Sequence, residues 1–428
     1  MPDLIKTKTA VVRLWLRVEQ GAFLDKVLPE LRRGDINGDL AEYLLRGMLD
    51  HKLELLWAAG LVYTRFNDLP PRLRALLLLS IFQLRYSQVP APLIVSEAVN
   101  TVRELKLPHL TGVANAGLRK SQLRAEPNAT DFVSRTAFLA VVTSLPEWIL
   151  ELLQQDYPTI DPLEMVAGYR ASRRPWLRRV RQRYTLQQLE AETTAAGVEL
   201  MQAPWNGLYY SPVNHTPAQV AAVKRGDMIV HDVSAAAAVE LLAPTAGDRV
   251  LDCCAAPGGK LRQLLELQPQ VSVTAVEKDS GRFRSLGRLL LNDERIELRQ
   301  DDLLELQEEK YDCILLDVPC SGSGNYGKKP DSRYRHGSKE LAELLPLQQA
   351  LLSRAAGLLA VGGRLVYSTC SLFKAENEQQ VAVFLREQPE FRLVGQKQDS
   401  LPWSAPGQVK FTPWEHHTGG AFAALLTR

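Results

Sequence analysis

The stretch "DRVLDCCAAPGGK", Asp248 to Lys260, joins a short apolar run to an acid, two cysteines and a loop of alanine, proline and glycine. Its first half, "DRVLDCCA", has the residues of a strand, and a helix begins at Gly259, where the loop ends. Strand, small-residue turn and helix in that order open a βα unit, and the same rhythm continues to the end of the chain. "VSVTAVEKD" precedes "SGRFRSLGRLLLND", and "RIELRQDD" leads to a short connection. "YDCILLDVPC" leads through a long loop to "KELAELLPLQQALLSRAAGLL", and "GRLVYSTC" precedes "AENEQQVAVFLREQ". Strands alternating with helices predict an α/β parallel sheet covered on both faces. The last segments, "VKFTP" and "GAFAALLTR", are spaced as a C-terminal antiparallel hairpin at the sheet edge.

Upstream the period changes. "LAEYLLRGMLDHKLELLWAAGLVY" and "PPRLRALLLLSIFQLRYSQ" repeat apolar residues at three and four, as do "PAPLIVSEAVNTVRELKL" and "GVANAGLRKSQLRA". These predict an all-α bundle over residues 1–130, closed by the turn-rich "EPNAT". A linker helix, "LPEWILELLQQDYP", and a small α+β subdomain of short β runs around "TLQQLEAETTAAG" fill 131–234. The Rossmann-like sheet then occupies 235–428. Three domains suit 428 residues.

With 46% hydrophobic and 23% charged residues the composition is that of a soluble globular protein. The apolar block "ALLLLSIF" is far short of the roughly 20 residues that cross a bilayer. Arg13 and Arg17 interrupt any signal-peptide core, so a cytoplasmic location without membrane attachment is expected. Five cysteines form neither a disulfide framework nor a C-x-x-C pair, and the seven histidines show no metal-ligand spacing with them, so no metal is expected. The net charge of +2 argues for no polyanionic partner by itself, but its distribution does. "RASRRPWLRRVRQR" (Arg170 to Arg183) carries seven arginines and no acid, with Trp176 inside it and Tyr184 after it. Such a run is either a solvated face or a surface for phosphate contact and base stacking.

In a doubly wound sheet, ligands bind at the carboxyl ends of the strands. Five chemistry-bearing features fall there: "CCAAPGGK", Glu277, Asp302, "DVPCS" and "STCS". The first is not a P-loop, since Cys254 stands at the first glycine position and Leu261 at the hydroxyl position, and Gly-x-Gly-x-x-Gly is absent. Ala255, Ala256, Gly258 and Gly259 still allow close backbone approach, and the following helix N-terminus favours negative charge. A site for a carboxylate, an acid at Glu277 for ribose hydroxyls and an acid at Asp302 for an adenine amino group describe S-adenosylmethionine.

On "LDCCAAPGGK", "DVPCS" and "YSTCS", in that order, the chain resembles the RNA cytosine-5 methyltransferases, specifically the RsmB (Sun/Fmu) branch. The resemblance spans most of the chain, with a NusB-type RNA-binding bundle first and a similar middle subdomain. It implies methylation of carbon 5 of a cytidine in small-subunit (16S) ribosomal RNA, and separately a monomer is expected. By position it implies cofactor contacts at Cys254, Ala255, Ala256, Pro257, Gly258, Gly259, Lys260, Glu277, Asp302 and Asp317. Glu277 and Leu261 depart from the aspartate and threonine usual in the family. Other readings are a transfer-RNA cytosine-5 methyltransferase and a non-catalytic RNA-binding assembly factor.

Carbon 5 of cytosine is a weak nucleophile, and a thiolate added at carbon 6 turns the ring into an enamine that accepts the methyl group. A base then removes the carbon 5 proton so the thiol can leave, and the cytosine must be unstacked throughout. Strand-end position alone leaves Cys320 and Cys370 interchangeable, and the "VPC" of Cys320 resembles the Pro-Cys thiol of DNA cytosine methyltransferases. The family resemblance points to Cys370 as nucleophile, Cys320 as release group and Asp317 beside them. In an RNA enzyme the arginine run becomes a contact surface through Arg173, Arg174, Arg178 and Arg179. The loop "GKKPDSRYRHG" (Gly327 to Gly337), with Lys328 and Lys329, becomes a flexible basic RNA clamp.

Overall fold

The structure is a computed structural model that describes all residues except 1–2, 33–34, 123–124, 181–182, 198–199, 203–208, 213–216, 290–292, 308, 336 and 396–400. Parts of the expected strand at 198–202, helix at 280–293 and arginine run at 170–183 therefore lie outside the described residues. The chain forms two compact units: Met1–Leu163 with Lys329–Gly337, and Glu164–Lys328 with Ser338–Arg428. Among the described residues no single helix is long and apolar enough to cross a membrane.

The first unit is all-α. Its helix Pro71–Tyr86, opened by the Pro70–Pro71 pair, buries every residue from Leu73 to Leu84 except Arg74. A helix apolar all round must be enclosed on all sides, and Leu4–Glu19, Gly38–Asp50, Lys52–Val62, Ala91–Glu104 and Thr111–Ser121 share its core. Asp3 and Asn37 cap two of these helices by accepting from backbone N–H groups of the first turn. Gly47 meets the central helix so closely that a Cβ would fall inside the Phe82 ring. The fully buried Lys8 ammonium is matched by Glu97 at 2.7 Å, the condition on which a charge survives in a core.

Two sequence expectations fail here. The bundle does not end near residue 130, because helices Arg135–Thr143 and Glu147–Asp156 belong to it. The Leu53 N–H donates to Ser144 Oγ at 2.8 Å, and Trp57 stacks on Phe132. Nor is the loop after Cys320 a flexible clamp, since Lys329–Gly337 is part of the helical unit. Asp331 accepts from the Leu24 N–H at 3.1 Å, and Arg335 donates to Gly21 O at 2.9 Å while covering the Phe23 ring. Arg333, 1% exposed, pairs with Asp50. The Tyr334 hydroxyl donates to Ser144 O at 2.7 Å, with Leu49 O 3.1 Å away.

In the second unit four short strands, β1 (Leu177–Arg179), β2 (Leu200–Gln202), β3 (Tyr209–Pro212) and β4 (Met228–Val230), pair in the order β2-β3-β1-β4. Trp176, just before β1, is buried in one core with Val233, Ala237 and Val250, which joins the small subdomain to the large sheet. That sheet holds β5 (Arg249–Cys253), β6 (Ser272–Val276), β7 (Ile296–Arg299), β8 (Tyr311–Asp317) and β9 (Leu359–Thr369), all parallel. The chain steps from β5 outward to β6 and β7, then returns to lay β8 on the other side of β5, so the order reverses between β5 and β8. Beyond β9 come β10 (Arg392–Leu393), β11 (Trp403–Ala405), β12 (Gln408–Phe411) and β13 (Ala421–Thr427). The expected hairpin of β12 and β13 is present, but β13 is interior. It pairs antiparallel with both β9 and β12, which is why "AFAALL" is apolar at every position rather than at alternate ones.

Replacing Tyr334 by Phe leaves a buried carbonyl without its donor and should lower stability by about 1–2 kcal/mol. A lowered thermal midpoint of the full chain, with little change for the exposed Lys329→Ala, is the expected pair of results.

Candidate active site

Register places the strand ends side by side, with Asp252 opposite Leu315 and Asp317 opposite Ser368. After β5 the chain turns sharply. Cys254 takes φ +60° and Gly258 φ +101°, left-handed values that suit glycine at the second position. Ala255 N–H donates to Val276 O at 3.0 Å, tying the loop to β6. Gly258 caps the helix Gly259–Leu267 with no side chain, so the helix N-terminus stays open to a ligand.

Around this loop stand the acids. Glu277, 2% exposed, accepts from the Asp279 N–H at 2.9 Å and from Arg282 at 3.0 Å through one oxygen, while the other is buried without a partner. Asp252 is 1% exposed and also has an unpartnered oxygen. Burial, reinforced by Asp317 and Glu277 and opposed by Lys260, pushes its carboxyl up to about 8. Asp302 caps Leu304 and accepts from the exposed Lys278 at 2.6 Å, a hydrogen bond that holds its carboxyl below the usual range. Two buried acceptors without donors, beside an open helix N-terminus, fit S-adenosylmethionine, whose ribose hydroxyls and ammonium are donors. Among the described residues no group of three His, Cys, Asp or Glu could hold a metal ion.

At the ends of β8 and β9 the two thiols meet, with Cys320 Sγ 3.3 Å from Cys370 Sγ. A hydrogen bond from Cys320 favours the Cys370 thiolate, burial opposes it, the nearby Lys260 ammonium assists, and the thiol lies below its ordinary range. The same contact and burial raise Cys320 well above its own. The contact therefore favours ionisation at Cys370 over Cys320. Burial raises the other three thiols, Cys254 and Cys313 to about 12 and Cys253 well above its ordinary range. Asp317 lies between the cofactor loop and the thiols, accepting from Lys260 at 2.6 Å and from Ser368 Oγ at 2.7 Å. Against the pull of burial, that carboxylate keeps the Lys260 ammonium above its ordinary range.

The profile of the 16S rRNA methyltransferase RsmB/F family matches residues 239–427, and that of the NusB family matches residues 6–122. Ribosomal RNA small subunit methyltransferase B of Klebsiella pneumoniae is 32% identical over 96% of this chain and 95% of its own length. Its counterpart from Vibrio cholerae is 33% identical over 82% and 80%. The chain belongs to the ribosomal RNA small subunit methyltransferase B family. Solved structures agree on the fold. PH0851 superposes with a TM-score of 0.83 at 23% identity over 100% of both chains, and a methyltransferase homologue from Pyrococcus horikoshii with 0.59 at 22% over 69% of this chain and 99% of its own. Members of this family take their methyl group from S-adenosylmethionine.

The residues expected to touch RNA divide. Arg178 is 4% exposed, ion-paired with Glu266 and donating through Nε to His231 Nδ1 at 3.2 Å. Burial, with Arg178 next to it, pushes the His231 imidazole down to about 3, so the ring is neutral and accepts at Nδ1. Arg178 thus braces the cofactor loop, where His231 Nε2 would lie 3.5 Å from any Cβ at Gly259, and is not free for phosphate. Arg179 donates to Tyr184 O, and Trp176 and Tyr184 are buried, which removes the expected stacking platform. Lys328 pairs with Asp232 and Lys329 with Asp25. Arg173 donates to Gly327 O at 3.0 Å from an otherwise exposed side chain, and Arg174 is exposed beside it. Sequence reasoning missed Asp252 as a site acid and the buried Glu376 behind the thiols. The only signal for Glu376 was an acid five residues after a buried serine in "CSLFKAE".

Two measurements follow. By calorimetry, Glu277→Ala should weaken S-adenosylmethionine about 10- to 100-fold, whereas Lys278→Ala, which frees Asp302, should not weaken it. Arg178→Ala should lower the thermal midpoint, whereas Arg174→Glu should leave it unchanged and flatten the salt dependence of RNA binding by about one counterion or more.

Proposed function

We propose that this enzyme methylates carbon 5 of a cytidine in small-subunit ribosomal RNA through a covalent bond to Cys370. The observation that carries the reading is the 3.3 Å contact in which one thiol donates to the other. Two buried thiolates that close would repel, so one must remain a thiol, and the roles separate. Cys370, whose anion is favoured by the Cys320 hydrogen bond and the Lys260 charge and whose proton passes to solvent, is the thiolate that adds to carbon 6 of the unstacked base. S-adenosylmethionine supplies the methyl group that carbon 5 then takes. Once carbon 5 carries both methyl and proton, Cys370 is bonded to carbon 6 and no longer a thiolate facing Cys320, so Cys320 can give its own proton to solvent and, as a thiolate base, take the proton from carbon 5. The carbon 5 electrons then re-form the ring double bond, and the Cys370–carbon 6 bond breaks. Glu277, Asp302 and the loop from Cys254 to Lys260 would hold the cofactor, and Asp317 fixes Lys260 between the two halves of the site. Arg173 and Arg174, exposed and adjacent in the run, are the arginines of the expected contact surface that could meet RNA.

The two thiols should fail differently when removed. Cys370→Ala should abolish methylation and any covalent complex. Cys320→Ala should let addition and methylation proceed, then trap the protein on RNA as a slow species on a denaturing gel. Losing the Cys320 hydrogen bond also lets the Cys370 thiol rise toward its ordinary range, so trapping should be faster at pH 8.5 than at pH 7. Trapping by Cys370→Ala instead would reverse the roles, and normal methylation by both variants would remove the thiols from the reaction.

A further inference from the structure

We propose that Glu376 is the positioning residue that holds the two reacting thiols in contact. Its side chain is 0% exposed, yet among the described residues its donors are serines and a glutamine rather than a lysine or an arginine. A carboxylate buried in this way is tolerated only when hydrogen bonds saturate it. Glu376 Oε1 accepts from the Ser321 N–H at 2.8 Å and from Gln348 Nε2 at 2.9 Å, and Oε2 accepts from the Ser321 and Ser371 hydroxyls, each at 2.5 Å. Ser321 directly follows Cys320, and Ser371 directly follows Cys370. One carboxylate therefore grips the residue after each thiol, one on the β8 loop and one on the β9 loop.

The surrounding bonds extend that grip. Gln348, from the helix Ser338–Leu358, also donates to Pro319 O at 2.9 Å, on the other side of Cys320. Ser323 Oγ accepts from the Leu372 N–H at 2.8 Å, and the Gly324 N–H donates to Cys370 O at 2.9 Å. These bonds fix the loop backbones. The Ser371 hydroxyl also lies 3.2 Å from that of Ser321 and 3.0 Å from that of Ser323, and Glu376 is the group that accepts from both residues next to the sulfurs. A thiol pair is a weak hydrogen bond with no power to hold two loops together, so the 3.3 Å separation has to be imposed from outside. Glu376 acts on Cys370 twice, in opposite senses. Its tie keeps the Cys320 donor in place, which favours the thiolate, and its charge disfavours it, as Asp317 does and as Lys260 opposes.

The inference rests on the reading of Cys320 and Cys370 as the reacting pair, and its test does not depend on methylation. Diamide, an azo oxidant, takes two protons and two electrons from a thiol pair, is reduced to its hydrazine, and leaves a disulfide at a rate set by how close the sulfurs stand. Peptide mapping of the full chain should find the Cys320–Cys370 disulfide forming about tenfold more slowly in Glu376→Ala. In Glu376→Gln, whose carbonyl still accepts and whose amide can donate to a serine hydroxyl, it should form at close to the wild-type rate. The pH profile of Cys370 alkylation by iodoacetamide should move down in Glu376→Gln, which loses only the charge, and up in Glu376→Ala, which loses the tie. S-adenosylmethionine affinity should be unchanged in both. A wild-type disulfide rate in folded Glu376→Ala overturns the proposal. Should that variant lose cofactor binding through unfolding, Ser321→Ala and Ser371→Ala decide: slower oxidation in each supports it, and unchanged oxidation in both overturns it. Slow oxidation in Glu376→Ala alongside normal methylation by the two cysteine variants would leave the positioning role standing and remove the catalytic reading instead.

Discussion

Everything at this strand edge depends on where Asp317 places Lys260. The lysine rises from the first turn of the helix after β5, the acid ends β8, and Ser368 on β9 takes the second oxygen. One carboxylate thus binds the cofactor loop to both cysteine-bearing strands. A lone ammonium at such depth would give up its proton. Held by Asp317 it remains a cation, and it is the positive charge facing Cys370. Without that contact the loop would lose its anchor to the sheet and the thiolate its counter-charge.

The thiol pair shows how two identical side chains acquire different chemistry. Cys320 and Cys370 leave parallel strands at neighbouring positions, and residue type does nothing to separate them. The difference arises from what lies around them. Lys260 is in reach of Cys370, and the hydrogen bond between the sulfurs can hold only one proton. Burial alone would make both inert, as it does Cys253, Cys254 and Cys313.

The parallel sheet was legible because its signals are local. Each strand is an apolar run of the right length, each turn carries its small residues, and the acids and thiols sit at the run ends by sequence position alone. The roles of the basic segments were not legible, because burial is a property of the tertiary fold. Arg178 reads as one more arginine in a charged run, yet it faces inward to Glu266 and His231 across more than fifty residues of sequence. Arg333 and Arg335 read as a solvated loop, yet their partners Asp50 and Gly21 lie about three hundred residues earlier. The domain boundary moved for the same reason, since Ser144 belongs to the bundle through contacts with Leu53 and Tyr334 rather than through any local break.

The balance of charge in the site carries one more consequence. Asp252, Glu277 and Asp317 are acids at the ends of β5, β6 and β8, and Lys260 pairs with Asp317 from the loop helix. The raised Asp252 carboxyl is the mark of that excess, since it has to keep its proton where Asp317 and Glu277 crowd it. A ligand bearing an ammonium and a sulfonium relieves the crowding, whereas a product without the sulfonium charge relieves less of it. Asp317, one of the two acids that crowd Asp252, is also one of those that oppose ionisation at Cys370. Asp317 thus belongs to both environments, hydrogen-bonded to Lys260 of the loop helix and opposing ionisation at Cys370.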